Sequence, residues 1–487
     1  MKLKELVKGF PEFKVFGSKE IVITGISADS RITAPGNLFI AKRGSVCNGG
    51  DFIAKAVEAG ASAILTSMYN PFLKLTQIVC AAPELFEAKI ADRYYRHPSS
   101  SLWIAGVTGS KGKTTTSYCL RHLLECSNRP CGLLSTVETI IGERCLSSAL
   151  TTHDAILNQK LLREMVESKC KAAVLEVSSH GIAQRRVDEI HFDLALFTNL
   201  YPDHLDYHKT IDAYALEKKK LFAMAPIGIY NADSSWTPFM REGRPGLSFG
   251  IDAEADIRAE EIHFDSEGTS FRVQKELFRT PFFGKHNVSN VLGAIAVGVH
   301  LGMPLSRLAE VFANVPAVPG RLEPVSNDLG IRVLIDYAHT GEALETVLKA
   351  LHDTAPKKMI VVFGCGGGRD HARRPAMGTA ASSWADLVII TTDNPRNEDP
   401  QEICRQILSG CKDKAAVIVE MDRRSAIQKA VDIAEKGDLV LIAGKGHEKM
   451  QILSGQSIPF DDLDVAKQAL QIRQSSANLQ GSKSQCF

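Results

Sequence analysis

The residues best suited to chemistry form one short run, Thr108-Gly109-Ser110-Lys111-Gly112-Lys113-Thr114-Thr115. It joins the apolar stretch Leu102–Val107 to a helical pattern carrying Leu120, Leu123 and Leu124. Strand, glycine loop, Gly-Lys-Thr and helix make a P-loop. Glycines let backbone N–H groups approach phosphate oxygens, and the helix points its positive end at the same anion. Lys113 can reach the terminal phosphates, and the Thr114 hydroxyl can take a Mg²⁺. Val107 stands where the strict pattern has glycine, so the loop is a shorter variant.

Further candidates follow other apolar runs. Glu176 ends Ala172–Glu176 and continues into Val177-Ser178-Ser179-His180-Gly181. A carboxylate there is costly unless paired or bound to metal, so beside a P-loop it suits Mg²⁺. Asn199–His208 holds two histidines and two aspartates after the strand candidate 194–199. With no thiolate it is weak for zinc, and Mg²⁺ asks for oxygen donors. Lys218-Lys219-Lys220 reads, on spacing alone, as a solvated helix face. Asp393-Asn394-Pro395-Arg396 reads as a turn.

These segments need strands that end near one another. The 487 residues suggest about three domains. Block 1–98 mixes short strands and helices, with 97–101 as a linker. Block 99–319 begins with the P-loop strand. Block 320–475 alternates apolar strands (331–336, 359–364, 386–392, 415–420, 438–443) with helical stretches, which predicts a second, mainly parallel α/β sheet. Residues 476–487 read as a disordered tail. A net charge of +1 and the lack of a dense basic tract argue against nucleic-acid binding. No apolar run is long enough to span a bilayer. The charged first ten residues lack a signal-peptide core. Eleven cysteines without Cys-x-x-Cys spacing fit reduced thiols, so a cytoplasmic location is expected. A monomer is expected.

In order along the chain, Thr108–Thr116, Glu176-Val-Ser-Ser-His-Gly181, Asp203-His-Leu-Asp-Tyr-His208, Lys218-x-x-Leu-Phe222, His286-Asn-Val-Ser-Asn290, Gly320-Arg321 and Asp336-Tyr-Ala-His339 resemble the motifs of the Mur ligases. The resemblance covers nearly the whole chain except the tail. It implies three α/β domains: an N-terminal uridine-binding domain, a central P-loop ATPase-type domain and a C-terminal Rossmann-like domain. It also implies an ATP-dependent amide ligase of peptidoglycan precursor synthesis that works through an acyl phosphate. Because acyl phosphates hydrolyse readily, water must be kept out.

The same resemblance implies site residues. Gly109, Ser110, Lys111, Gly112, Lys113, Thr114, Thr115, Asn290, Arg321, Asp336 and His339 would contact ATP. Two Mg²⁺ would be held, one by Thr114 and Glu176, the other by His204 and Lys218 carbamylated by CO₂ (N6-carboxylysine). Lys113, Lys218 and His204 would be catalytic. Ser30, Thr151, Thr152, Ser178, Gln184 and Arg186 would hold UDP-N-acetylmuramoyl-L-alanyl-D-glutamate. Asp29–Ala41 is similar to the family's uridine segment, although Asn48-Gly49 stands where Asp-Gly is usual.

Arg369, Asp393, Asn394, Pro395, Arg396, Gly444 and Glu448 match positions that bind meso-diaminopimelate. The distal end of that amine carries a carboxylate that lysine lacks, and arginine can bind it bidentately. A folylpolyglutamate synthase or a D-Ala-D-Ala-adding ligase fits the uridine segment and Asp393–Arg396 less well. A P-loop kinase or nucleotide switch leaves the third block unexplained.

Overall fold

The structure is a computed structural model. It describes residues 1–44, 47–368, 370–412 and 415–484, with side chains as far as 475. The chain forms two compact units, Met1–Asp256 and Ile257–Phe487.

The first unit holds two sheets. The N-terminal sheet runs in the order Lys14–Phe16, Thr76–Val79, Ala63–Thr66, Asn37–Ile40, Gly25–Ser27. All its pairs are parallel except the first. In the second sheet the P-loop strand Trp103–Thr108 lies between Leu194–Phe197 and Ala172–Glu176, parallel to both. Cys131–Leu134 continues the parallel set beyond Ala172–Glu176. These strands are buried along nearly their whole length, as continuous apolar runs covered on both faces require. Their carboxyl ends share one edge. Gly109–Gly112, Thr136, Glu176 and Asn199 therefore meet there, where open α/β sheets bind ligands.

The segment 97–101, expected as a linker, is a 3₁₀ turn, Pro98–Ser101, with Pro98 and Ser99 buried. The helix Ala155–Glu167 packs against this turn and against the helix Glu87–Tyr94. The first expected block and the part of the second up to Asp256 lie in one unit, and the rest of the second block lies with the third in the other.

The second unit begins with the antiparallel strands Ile257–Phe264, Thr269–Val273 and Glu276–Thr280. The helices Lys285–His300 and Leu305–Ala313 follow. Its main sheet runs Glu323–Pro324, Arg332–Asp336, Leu439–Ala443, Met359–Phe363, Leu387–Ile390, Ala416–Val419. Each pair after the first is parallel, as the alternation of strands and helices predicts. Successive residues face opposite sides. Val361 and Phe363 pack with Leu344, Leu348 and Met377 in one core, while Ile360 and Val362 pack with Ile427, Val431 and Ala466 in the other. The last helix, Asp462–Ser484, carries the backbone through most of the segment expected to be a disordered tail. No proline interrupts that stretch. Residues 485–487 of the expected tail lie outside the described residues.

A buried ion pair ties two loops of this sheet to its back. Arg423 donates to both Asp462 oxygens at 2.7 Å, and both side chains are 0% exposed. Arg423 also donates to the carbonyls of Thr392 (3.3 Å) and Ala443 (2.9 Å), just past two strand ends. Removing one member of such a pair strands a buried charge. Asp462→Ala is therefore expected to destabilise the second unit by about 3–5 kcal/mol. Urea denaturation would check this, and an unchanged midpoint would contradict it.

Candidate functional site

The P-loop is held from the neighbouring strand end. Ser110 N–H donates to Asn199 O (2.9 Å), Lys111 N–H to Asn199 Oδ1 (2.9 Å) and the Thr198 hydroxyl to Lys111 O (2.7 Å). The Ser110 hydroxyl lies 3.1 Å from Tyr201 O and 3.2 Å from the Tyr214 hydroxyl. Gly109 has φ +150°, and a Cβ there would sit 1.9 Å from Thr198 Oγ1. Gly112, at φ 83°, opens the helix Lys113–Cys126. Thr115 is buried in its first turn.

Glu176 is 1% exposed. Its carboxylate accepts from the hydroxyls of Thr114 (3.2 Å) and Thr136 (3.0 Å) and from Thr136 N–H (3.0 Å). These donors are neutral, and no ion pair to Glu176 occurs among the described residues. A buried carboxylate with neutral partners suits a bound cation.

Lys218 is 1% exposed, so its burial overrides the solvated-face reading that three consecutive lysines suggest. Lys219 and Lys220 keep surface pairings, with Glu242 and Glu217. Lys218 donates to Gly109 O (2.9 Å), and Lys113 donates to the same oxygen (3.0 Å) and to Ser110 O (3.1 Å). Burial, reinforced by Lys113, pushes the Lys218 amine well below the usual lysine range.

His204 opens the short helix Leu205–His208 at φ 54°. Its ring lies 4.8 Å from that of His180 and 6.3 Å from that of Tyr214. Burial lowers the His204 pKa, although Asp203 opposes this. Asp203 lies 3.6 Å from the Lys111 ammonium. Burial raises its carboxyl, but Lys111 and His204 outweigh that and leave it below the usual range. Among the described residues no group of three or more His, Cys, Asp and Glu is arranged to hold a metal. The Mg²⁺ sets expected from the resemblance draw on Thr114 and Lys218 instead.

Five expected dipeptide contacts lie in one network. Thr151 Oγ1 is 3.0 Å from Thr136 Oγ1. Thr152 Oγ1 donates to Glu176 O (2.9 Å) and lies 3.1 Å from Ser178 Oγ. Arg186 donates to Thr152 O (2.7 Å) and to Gln184 Oε1 (2.6 Å). Ser30 follows Asp29, whose carboxylate binds Arg31, in the loop after Gly25–Ser27; no described hydrogen bond joins it to this network.

In the second unit, Asn290 donates to Asn287 Oδ1 (3.0 Å). Asp336 accepts the N–H groups of Leu322 (2.8 Å) and Ala338 (2.7 Å). It thereby fastens the turn that carries Arg321, whose guanidinium lies 4.7 Å from the Tyr337 ring centroid. His339 Nδ1 lies 2.8 Å from Tyr337 O.

Asp393–Arg396 follows the strand Leu387–Ile390 and is fastened on two sides. Asn394 donates to Glu448 Oε2 (2.8 Å) and accepts from Ile452 N–H (2.9 Å). Arg396, at φ 56°, donates its N–H to Ile452 O (3.0 Å) and its guanidinium to Gly367 O (2.5 Å). Gly444, at φ 109°, packs on Asp393: a Cβ there would lie 2.6 Å from Asp393 Oδ2. Burial raises the Asp393 carboxyl, opposed by Arg423 and Lys445. The Pro395 carbonyl is so close to Gly367 that a Cβ on that glycine would lie 2.0 Å from it. Arg369 lies outside the described residues. Sequence reasoning missed Gln451, which donates to Asp393 O (2.7 Å), and the buried Lys445, which donates to Met450 O (2.6 Å). Lys445 stands between Gly444 and Glu448, so the motif marked the place and not the residue.

The fold and site define a P-loop α/β protein with a second parallel sheet presenting an arginine-bearing loop. Three family models match it: Mur ligase family, catalytic domain, over residues 22–97; Mur ligase middle domain over 107–298; and Mur ligase, glutamate ligase domain, over 320–446. The UDP-N-acetylmuramoyl-L-alanyl-D-glutamate--2,6-diaminopimelate ligase of Chlamydia muridarum is 43% identical over 96% of this chain and 99% of its own length. The enzyme of the same name from Caldanaerobacter subterraneus subsp. tengcongensis is 39% identical over 96% and 99%. A solved structure of a UDP-N-acetylmuramoyl-L-alanyl-D-glutamate--2,6-diaminopimelate ligase superposes with TM-score 0.70 at 29% identity, over 97% of this chain and 99% of that one. The MurF ligase of Thermotoga maritima in complex with ADP shares the fold, with TM-score 0.65 at 20% identity over 94% and 100%. The chain belongs to the Mur ligase family.

The Gly109 geometry leaves no room for a side chain. Gly109→Ala is expected to weaken binding of an ATP analogue by roughly tenfold or more, since even 1.4 kcal/mol of loop displacement is worth that factor. Calorimetric titration measures it, and wild-type affinity would refute the cradle.

Proposed function

We propose that this chain is the ATP-dependent ligase that joins meso-2,6-diaminopimelate to the D-glutamyl carboxylate of UDP-N-acetylmuramoyl-L-alanyl-D-glutamate, making a peptidoglycan precursor. The observation that carries this is the presence, in one chain, of a phosphate cradle with two inward lysines and of the loop Asp393–Arg396 fastened to Glu448. Relatives bearing the name of that ligase match it over nearly its full length.

The chemistry has two steps. A carboxylate oxygen of the dipeptide attacks the γ-phosphorus of ATP, and the bond to ADP breaks. The amine nitrogen of diaminopimelate, giving up a proton, then attacks the acyl carbon, and phosphate leaves. Carboxylate and triphosphate repel one another, so screening is the first requirement. Lys113 and the loop Gly109–Thr115 bind the phosphates, with the Ser110 and Lys111 N–H groups held by Asn199 and those of Gly112–Thr115 turned to the anion. Arg186, Thr151, Thr152, Ser178 and Gln184 orient the dipeptide beside Glu176, and Ser30 belongs to the uridine segment. By the family resemblance, Asn290, Arg321, Asp336 and His339 would also contact ATP.

Two Mg²⁺, one on Thr114 and Glu176 and one on His204 and carbamylated Lys218, would supply the positive charge that lets the reacting groups approach. The neutral donors around Glu176 fit the first. A carbamate forms only on a neutral amine, and burial of Lys218 favours that form. The distal carboxylate of diaminopimelate pairs with Arg396 and Arg369, and its ammonium with Glu448 and the Gly444 carbonyl.

The reaction belongs in the cytoplasm, where ATP and nucleotide sugars are made. All ten cysteines among the described residues are free thiols, and no described helix is long and apolar enough to cross a membrane.

Three substitutions separate these assignments. Lys113→Ala should abolish product formation; near-normal turnover would sink the phosphate assignment. Lys218→Ala should inactivate, with partial rescue by acetate and none by bicarbonate, because acetate lends the mutant a carboxylate whereas bicarbonate helps only the native lysine. Full activity without an added carboxylate would remove the carbamate. Arg396→Ala should lower kcat/KM for diaminopimelate by roughly ten- to a hundredfold, since a charge-assisted contact is worth about 1.5–3 kcal/mol. The KM values for ATP and dipeptide should hardly move. Mass spectrometry of the product with diaminopimelate and lysine offered together tests the amine, and equal incorporation would overturn that choice.

A further inference from the structure

One buried arginine is used by none of these steps. Arg374, in the first turn of the helix Arg373–Trp384, is 1% exposed and among the largest fully buried side chains. Its Nη2 donates to Glu398 Oε2 (2.8 Å) and to Gly366 O (3.4 Å), and its Nη1 donates to Gln406 Oε1 (2.8 Å). Its Nε is buried without a partner. A pair that leaves a buried donor unsatisfied is not arranged for stability alone.

Glu398 does two things at once. One oxygen takes Arg374. The other accepts Gly368 N–H at 2.5 Å, immediately before Arg369 in the chain. Glu398 itself lies two residues after Arg396, and its own N–H donates to Pro395 O (3.0 Å). Gly367 N–H donates to Asn394 O (2.9 Å), and Arg396 donates back to Gly367 O. Two loops, from different strand ends, are thus fastened face to face, and Arg374 reaches both of them from below. The packing leaves little tolerance, because a Cβ on Gly367 would collide with Pro395 O.

We infer that Arg374 and Glu398 are positioning residues that set the separation of the loops at 364–368 and 393–396, and through it the recognition of an amino acid bearing a distal carboxylate. The inference rests on the amine-site reading above. Neither residue touches the substrate. The ion pair absorbs the Arg374 charge, which leaves Arg396 to meet the anion, and it fixes where the Gly367 carbonyl holds the Arg396 guanidinium.

The test uses the full-length protein with Glu398→Ala, Glu398→Gln, Arg374→Lys and Arg396→Ala. Steady-state kcat and KM are measured separately for diaminopimelate, ATP and dipeptide, together with thermal midpoints. Glu398→Ala should raise KM for diaminopimelate by about tenfold or more, with the other two KM values within about twofold. Glu398→Gln keeps one acceptor oxygen, enough for Gly368 N–H or for Arg374 but not for both, and should recover only part of the loss. Arg374→Lys keeps the charge but loses the fork, and should fall between them. If Glu398→Ala leaves KM for diaminopimelate unchanged while Arg396→Ala raises it, the positioning role is wrong and the amine site stands. If Arg396→Ala also has no selective effect, the amine-site reading itself falls. A loss spread evenly over all three substrates, with a lowered midpoint, marks a purely structural pair and overturns the inference.

Discussion

Two lysine side-chain nitrogens, from Lys113 and the buried Lys218, converge on one carbonyl oxygen, that of Gly109. Lys113 has Ser110 O as a further acceptor, and two charged amines so close in a place with little water disfavour one another. The phosphate loop is built around these two lysines. Gly109 has no side chain because Thr198 occupies the space one would need. Burial holds the Lys218 amine far below its ordinary value, and Asp203 is kept charged by Lys111 and His204 despite its burial. A phosphate chain, or a carboxylate made from Lys218 itself, is the kind of group that relieves the strain.

The neighbouring strand end carries the opposite charge. Glu176 is a buried carboxylate surrounded by threonine hydroxyls and an amide. The same residues that quiet it, Thr136 and through it Thr151, lead into the network of Thr152, Ser178, Gln184 and Arg186. The residues proposed for metal, phosphate and dipeptide are therefore mechanically linked. A displacement of Thr136 would be felt by both the carboxylate and the neighbouring threonine. Groups of opposite charge at the ends of adjacent strands are a natural setting for bringing two anions together.

In the proposed function the second unit has a different task, which is to read the far end of an amino acid. Its strands Arg332–Asp336, Met359–Phe363, Leu387–Ile390 and Leu439–Ala443 run into the loops that carry Ala338, Gly368, Asp393 and Gly444, all on the carboxyl edge of one parallel sheet. Loops at such an edge are mobile unless tied. Here they are tied to one another and to the hairpin Met450–Leu453/Gln456–Pro459, and two fully buried arginines, Arg374 and Arg423, hold them from beneath. Preorganisation of this kind spares the entropy of ordering loops when the ligand arrives.

Much of this was legible in the residues before any coordinates. The P-loop announces itself because glycine, lysine and threonine are each demanded by phosphate chemistry at fixed offsets, and every strand named in the third block appears within two residues of its expected ends, since continuous apolar runs have few other uses. Spacing misread what depends on the neighbours. Lys218 looked like one of three solvated lysines, and only the packing of its helix face decides that it is buried while Lys219 and Lys220 are not. The turn at 97–101 looked like a linker because proline and serines carry no mark of the helix that covers them. Arg374 and Glu398 stand 24 residues apart, and nothing in their local sequence says that they meet. The sequence by itself determined the chemistry available, because residue type sets what a side chain can bind. Which cations and carboxylates lose their water, and so become reactive or able to position others, was decided by tertiary structure, because desolvation is a property of the surroundings and not of the chain.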